Sequence, residues 1–421
     1  MLNEKIIPTQ KTNTRLTILN LGELGFVFFK PNSLGIEKKL IVNHFGYSDL
    51  QGIGKRRINL FLIISLCFSA GKLYNVCQTT IYFLKIHMLP VLFDDDAVAE
   101  YAKEHKIQPF RVKQIFHEIY KNQNTKREDM TTLSKDLKQD LQSNFRLLSL
   151  EVDKLLEDKQ TTKIAFRTHD GHIIESVIIY HWQPAKHVKD NKPKINRITL
   201  CISSQVGCPV NCLFCVTGKL GLSRNLTRDE IVSQILYANT YVKEKFGKKE
   251  DNTWQAVRNV VFMGMGEPLL NYDAMKHSIQ VMLQQDRLSL SKRHVTISTS
   301  GIIPGIRKMI SDMIDVKLAI SLHAPNQSLR ERLMPIAKRY PLPQLMSAID
   351  DYVKVSNNRI FYEYIMIKDK TDNLELAREL VHLLRGRLAH VNLIPYNTNP
   401  AIALKETDMS TIRAFQSILE K

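Results

Sequence analysis

The stretch Cys201-Ile-Ser-Ser-Gln-Val-Gly-Cys208-Pro-Val-Asn-Cys212-Leu-Phe-Cys215 gathers four of the chain's six cysteines into fifteen residues, the other two being Cys67 and Cys77. A secreted disulfide framework spreads its cysteines along a short chain. A cluster within 421 residues instead reads as metal ligation or redox chemistry in a reducing compartment, and it predicts a cytoplasmic protein. Cys208, Cys212 and Cys215 have the spacing C-x3-C-x2-C in a loop that directly follows an apolar strand at 197–201. Three thiolates so placed can converge on one soft-metal centre. A cubane [4Fe–4S] cluster normally takes four thiolates, so three leave one iron open to a substrate or cofactor. The alternative is a structural zinc completed by Cys201, although zinc knuckles usually pair C-x2–4-C units across a longer gap.

Outward from this loop the chain alternates short apolar strands with helical patterns. Strands are expected at 197–201, 259–264, 294–299, 316–322, 359–367 and 389–396, with helices near 227–244, 272–284, 304–312, 342–355, 373–386 and 408–419. Six βα units imply an α/β fold built on a parallel sheet. Thr227, with Glu230 three residues on, is a capping box that starts the first of these helices. Upstream, 163–168 and 172–182 flank His169-Asp170-Gly171, a hairpin signal. Leu133, Leu137 and Leu141 mark a helix, and two more follow Asp94, the second with Val112, Ile115, Phe116 and Ile119 on one face.

Residues 1–88 show no sustained period, and patterning becomes regular only after Met88. Three segments are therefore expected. Residues 1–88 form a variable or non-native extension ahead of a native start at Met88, 89–195 form a helical and hairpin module ending in a Lys-rich link at 186–194, and 196–421 carry the βα units. Apolar residues make up 44% and charged residues 24%, a globular composition that excludes collagen-like or wholly disordered chains. The 59 Lys and Arg against 42 Asp and Glu give a net charge of +17, which suggests a polyanionic partner such as a nucleic acid. The longest apolar run, 58–70, has 13 residues and contains Asn59, short of the roughly 20 that span a bilayer, so no membrane association is expected.

The cysteine triad resembles that of radical S-adenosylmethionine (SAM) enzymes, and further fragments narrow the likeness. Ser203-Ser204-Gln205-Val206-Gly207, Thr217-Gly218, Arg224-Asn225-Leu226-Thr227, Met263-Gly264-Met265-Gly266-Glu267-Pro268-Leu269, Ser298-Thr299-Ser300-Gly301, Ser321-Leu322-His323-Ala324-Pro325 and Leu393-Ile394-Pro395-Tyr396-Asn397 together look like the dual-specificity RNA adenine C2-methyltransferases of the RlmN type. The resemblance runs from about Asp94 onward and implies a partial (βα)6 barrel with an N-terminal helical and hairpin module that binds RNA. It implies a [4Fe–4S] cluster on Cys208, Cys212 and Cys215, with SAM on the open iron cleaved to a 5'-deoxyadenosyl radical. SAM would meet Gly266, Glu267, Ser298, Ser321, Leu322 and His323, with Asn397 on the adenine side. For Glu267 the residues alone equally allow a helix-start carboxylate.

Glu175, between apolar neighbours in the hairpin strand, matches the family's proton acceptor, and burial there would raise its pKa. A solvent-facing position on a half-buried strand is the other reading. The resemblance further implies 23S rRNA and tRNA as substrates, an electron donor such as flavodoxin or ferredoxin, and a monomer. In the family a cysteine beyond the Asn397 motif carries the methyl group, and Cys201 resolves the protein–RNA adduct by way of a disulfide with it. Here no cysteine follows Cys215. The expectation is accordingly a truncated or inactive form. Two alternatives stand beside it: an RNA-binding 4Fe–4S protein that cleaves SAM without methyl transfer, and an adenine C8-methyltransferase.

Overall fold

The computed structural model describes residues 89–183, 195–247 and 255–420 throughout, and 4–7, 16–21 and 24–29 as strands. The chain divides into two compact units, 1–66 and 67–421. In the first, β1 (Glu4–Ile7), β2 (Leu16–Leu21) and β3 (Leu24–Phe29) form an antiparallel sheet in that order. No strand was expected there, because Leu-Thr-Ile-Leu-Asn-Leu and Leu-Gly-Phe-Val-Phe-Phe are too uniformly apolar to show a period of two. The apolar run 58–70, Cys67, Cys77 and the Lys-rich link lie outside the described residues, as does the proposed start at Met88.

The second unit begins with α1 (Asp95–Glu104), α2 (Pro109–Tyr120) and α3 (Lys135–Asn144). Asp94 caps α1 by accepting from the amides of Asp96 and Ala97, so the acidic run does mark a helix start. Then come β4 (Glu151–Glu157), β5 (Thr161–Arg167), β6 (Ile173–Trp182), β7 (Ile195–Cys201), the short pair β8 (Gln205–Gly207) and β9 (Leu222–Asn225), with α4 (Val216–Lys219) between them, and α5 (Arg228–Phe246). The remainder alternates: β10 (Asn259–Phe262), α6 (Tyr272–Leu283), β11 (Val295–Thr299), α7 (Ile303–Ser311), β12 (Lys317–Ser321), α8 (Gln327–Leu333), α9 (Leu342–Ser356), β13 (Ile360–Met366), α10 (Leu374–Leu384), β14 (Ala389–Pro395) and α11 (Met409–Leu419).

All six expected parallel strands are present, adjacent in chain order as β7-β10-β11-β12-β13-β14. A sheet wound in one direction places its crossover helices on one side, which is the arrangement of a partial barrel. Leu200, Val260, Ile297, Ile320 and Tyr362 face the helices and are buried. The boundary drawn at 195/196 does not separate two sheets. β4, β5 and β6 continue the parallel sheet antiparallel across β7, giving nine strands, and one apolar core runs from Leu150 to Phe415. Alternation on β6 sends Ile174, Ser176, Ile178 and Tyr180 into that core. Helices α1 to α3 pack separately, on Val232 and Leu236 of α5 and Val281 of α6.

Candidate active site

Register pairing places the candidate residues on one face of the sheet. Cys201 lies opposite Val177 of β6 and beside Val261 of β10, Val261 beside Thr296, Thr296 beside Lys317, and Lys317 two residues before Ala319. Residues two apart share a face, so Glu175, Cys201, Ser298 and Ser321 all point to the side away from the helices. That face is only partly buried. Glu363, opposite Ser321 on β13, shares it. It accepts from Asn392 Nδ2 at 3.0 Å, and burial raises its pKa. The period of two in Phe361-Tyr-Glu363-Tyr-Ile365 carried the signal for it.

The loops at the carboxyl ends of the strands are locked to one another. Ser203 Oγ donates to the carbonyl of Glu175 at 2.6 Å and accepts from the amide of Met265 at 2.9 Å. Gln205 Oε1 accepts from the amide of Glu267 at 2.8 Å, and its Nε2 donates to Asn225 at 2.7 Å. Asn271 Nδ2 bridges the carbonyls of Ser204 and Leu226. Gly266 has φ +101° and could carry no Cβ, which would stand 2.5 Å from Gln205 Cβ. Its glycine is therefore demanded by the contact between these two loops.

Glu267 is 3% exposed, and its two oxygens accept from the amides of Leu269 at 3.1 Å and Ser300 at 2.7 Å. It caps the short turn Pro268–Leu270 and ties it to the end of β11, the helix-start reading of this residue, while burial raises its pKa. Leu322 is a core side chain that can offer only its backbone. His323 has φ +58°, its Nδ1 accepts from the amide of Ile365 at 3.1 Å, and its ring meets Phe214 edge-on at 4.8 Å. Burial first, and then the charge of Arg330, lowers its pKa to about 3. It is a neutral imidazole. Asn397 is exposed just beyond β14.

Glu175 departs from expectation. Its carboxylate is 46% exposed and pairs with Lys163 Nζ at 2.7 Å. The burial that was to raise its pKa is absent, because alternation on β6 puts it opposite the core face. It does share the open face with Cys201.

Cys208, Cys212 and Cys215 lie between β8 and α4, partly exposed and free of disulfides, as is Cys201. The expected disulfide therefore has no counterpart among the described residues. Leu213 donates to the carbonyl of Leu333 at 2.8 Å, and Cys212 and Phe214 pack with Leu329, Leu333, Met334 and Tyr396, so α8 supports the loop. Burial pushes the Cys208 thiol up to about 11 and Cys201 up to about 12, and raises Cys212 further. Among the described residues no three His, Cys, Asp or Glu side chains are placed to hold a single metal ion. A cubane asks for something else, since each thiolate binds its own iron corner. Three free thiols on one loop at this edge of the sheet fit that donor set.

Sequence reasoning missed Arg330. It is 0% exposed on α8, with Nη2 donating to the carbonyls of Ser300 at 2.6 Å and Ser321 at 3.3 Å. Its Nε and Nη1 have no partner among the described residues. An arginine in Gln-Ser-Leu-Arg-Glu-Arg-Leu looks like an ordinary helix-surface cation, and nothing in the pattern distinguishes Arg330 from Arg332.

Comparison with known proteins adds the family. The model of the radical SAM superfamily matches residues 202–381, and that of the ribosomal RNA large subunit methyltransferase N-terminal domain matches 91–147. The chain is 38% identical over 329 residues to a probable dual-specificity RNA methyltransferase RlmN 2 of Protochlamydia amoebophila, covering 78% of this chain and 86% of the relative. It is 41% identical over 334 residues to the dual-specificity RNA methyltransferase RlmN of Psychrobacter arcticus, covering 77% and 80%. The chain belongs to the RlmN-type radical SAM RNA methyltransferase family. A crystal structure of a radical SAM methyltransferase from Sphaerobacter thermophilus superposes with TM-score 0.69 at 36% identity, covering 78% of this chain and 90% of that one. Membership brings the superfamily's cofactors, a [4Fe–4S] cluster and SAM. The RlmN N-terminal match ends before the hairpin, in agreement with the separate core of α1 to α3. Among the described residues no helix is long and apolar enough to cross a membrane.

Proposed function

We propose that the protein acts on C2 of adenosine in 23S rRNA and tRNA, in the cytoplasm and as a monomer, with electrons from a flavodoxin- or ferredoxin-type donor. The observation that carries this reading is the single open sheet face on which Glu175, Cys201, Ser298 and Ser321 stand beside a three-cysteine loop. Cys208, Cys212 and Cys215 would hold the cluster, and Gly266, Glu267, Ser298, Ser321, His323 and Asn397 would bound the SAM site, with Leu322 contributing backbone. When bound, cluster and SAM supply a 5'-deoxyadenosyl radical.

The chain's own residues do the rest. Neutral His323 can donate from Nε2, because Nδ1 is occupied as an acceptor. Glu267 holds the 263–269 loop against β11. Glu175, held in its carboxylate pair with Lys163 on the open face, would take the proton from the adenine adduct, and Cys201 on the same face would resolve it. A target base must leave its stack to reach such a recess. The segment 89–195 would hold the RNA, and a cleft of about 600 Å³ lined by Arg127, Arg146, Arg167 and His169 supports that assignment.

The methyl-carrying thiol implied by the resemblance is not among the 421 residues, which hold no cysteine after Cys215. Radical formation and methyl transfer are therefore tested separately. The reconstituted chain is expected to form 5'-deoxyadenosine from SAM under a strong reductant. With a C-terminal segment bearing a cysteine appended, it is expected to produce 2-methyladenosine in 23S rRNA and tRNA, read by nucleoside mass spectrometry. No 5'-deoxyadenosine from cluster-loaded protein would overturn the site. Formation of 8-methyladenosine would replace the proposed position, and 2-methyladenosine from the 421 residues alone would refute the need for that thiol.

A further inference from the structure

Arg330 is a guanidinium enclosed by protein with three of its five N–H groups unpaired. Nη2 spends both hydrogens on the carbonyls of Ser300 and Ser321, while Nε and Nη1 find no acceptor among the described residues. No carboxylate among the described residues pairs with it, yet a buried cation is normally paired. Its surroundings say which anion is missing. Cys212 packs against the apolar cluster that includes Leu329 and Leu333 of the same helix, and the amide of Leu213 donates to the carbonyl of Leu333 at 2.8 Å.

We infer that Arg330 is the buried counter-charge of the iron–sulfur cluster: it stands on the helix that backs the Cys212 loop and favours the more negative, reduced state. This rests on the ligand assignment proposed above. A cubane held by three thiolates is anionic and gains a further negative charge when it accepts one electron, so a fixed cation beside one sulfur ligand raises its reduction potential. Arg330 touches neither RNA nor the reacting carbon in this role. It is a positioning and electrostatic residue.

The test is a one-electron redox titration of the cluster by electron paramagnetic resonance, without RNA, on reconstituted full-length protein. Arg330→Met and Arg330→Gln are each expected to shift the reduction equilibrium about tenfold toward the oxidised form, equivalent to about 59 mV for one electron. Arg330→Lys, which keeps the charge, should recover most of the shift. Arg330→Gln keeps N–H donors without the charge, so it separates charge from hydrogen bonding and serves as the second neutral variant if Arg330→Met does not fold. An unchanged potential in a neutral variant with full iron content would overturn the inference, whether or not SAM affinity or thermal stability falls. Equal shifts in Arg330→Lys and Arg330→Gln would also overturn it. If the wild-type chain binds no cluster, it is the ligand assignment that fails.

Discussion

Two arginines have opposite fates. Arg224, in β9, uses all five N–H groups. It grips Asp170 through Nε and Nη2 at 2.6 and 2.8 Å, Glu230 through Nη1 and Nη2 at 2.8 Å, and the carbonyl of Asn225 at 3.0 Å. Arg330, more deeply buried, has two nitrogens with no partner among the described residues. The first network closes on itself and fastens the hairpin turn to the start of α5. The second is open on one side. A satisfied buried charge is architecture, and an unsatisfied one in a folded protein points to something that binds there.

The contrast can be broken most severely at the cysteine loop beside Arg330. Cys208→Ala, Cys212→Ala and Cys215→Ala should each abolish the cluster, from about four irons per chain to near none by iron and sulfide analysis, with the fold retained by circular dichroism. Cys201→Ala should leave iron content unchanged. Full iron in all three ligand variants would refute the assignment.

At the closed network the effect falls on stability. Arg224→Met strands Asp170 and the buried Glu230 without their cation, and denaturant titration should show a loss of about 3–5 kcal/mol. A loss below about 1 kcal/mol would show that the network is not the fastening described.

The same network predicts an acid limb. Burial opposes ionisation of both carboxylates, but the hydrogen bonds and charge of Arg224, with Thr168 at Asp170 and His169 and Thr227 at Glu230, outweigh it; Glu230 falls from 4.5 to about 2, and Asp170 falls further. Each binds fewer protons folded than unfolded, so this stability is present above about pH 4.5 and drains away as pH falls through about 2. The gap between wild type and Arg224→Met should narrow over that range.

The smallest stability effect is expected on the open face. Glu175→Gln removes an exposed pair with Lys163 and should change stability by about 0–1 kcal/mol. In acceptor-restored protein it should slow 2-methyladenosine formation without altering iron content. A stability loss of several kcal/mol would place Glu175 with the closed networks.

The Thr227–Glu230 capping box shows how far local pattern reaches. It was legible in four residues, and both bonds are present at 3.2 and 2.9 Å. That Glu230 also holds Arg224, and through it the turn at Asp170, was not legible, because those partners lie 6 and 60 residues away along the chain.

By itself the sequence determined the six parallel strands, the hairpin and the helix starts, since period and caps act within a few residues. Only tertiary structure decided that the hairpin extends the same sheet, that Glu175 faces outward beside Cys201, and that Glu267 spends its oxygens on backbone amides. It alone set Arg330 apart from Arg332. Sheet register, burial and hydrogen-bond completeness depend on segments far apart in the chain, and no local pattern records which polar group will find a partner there.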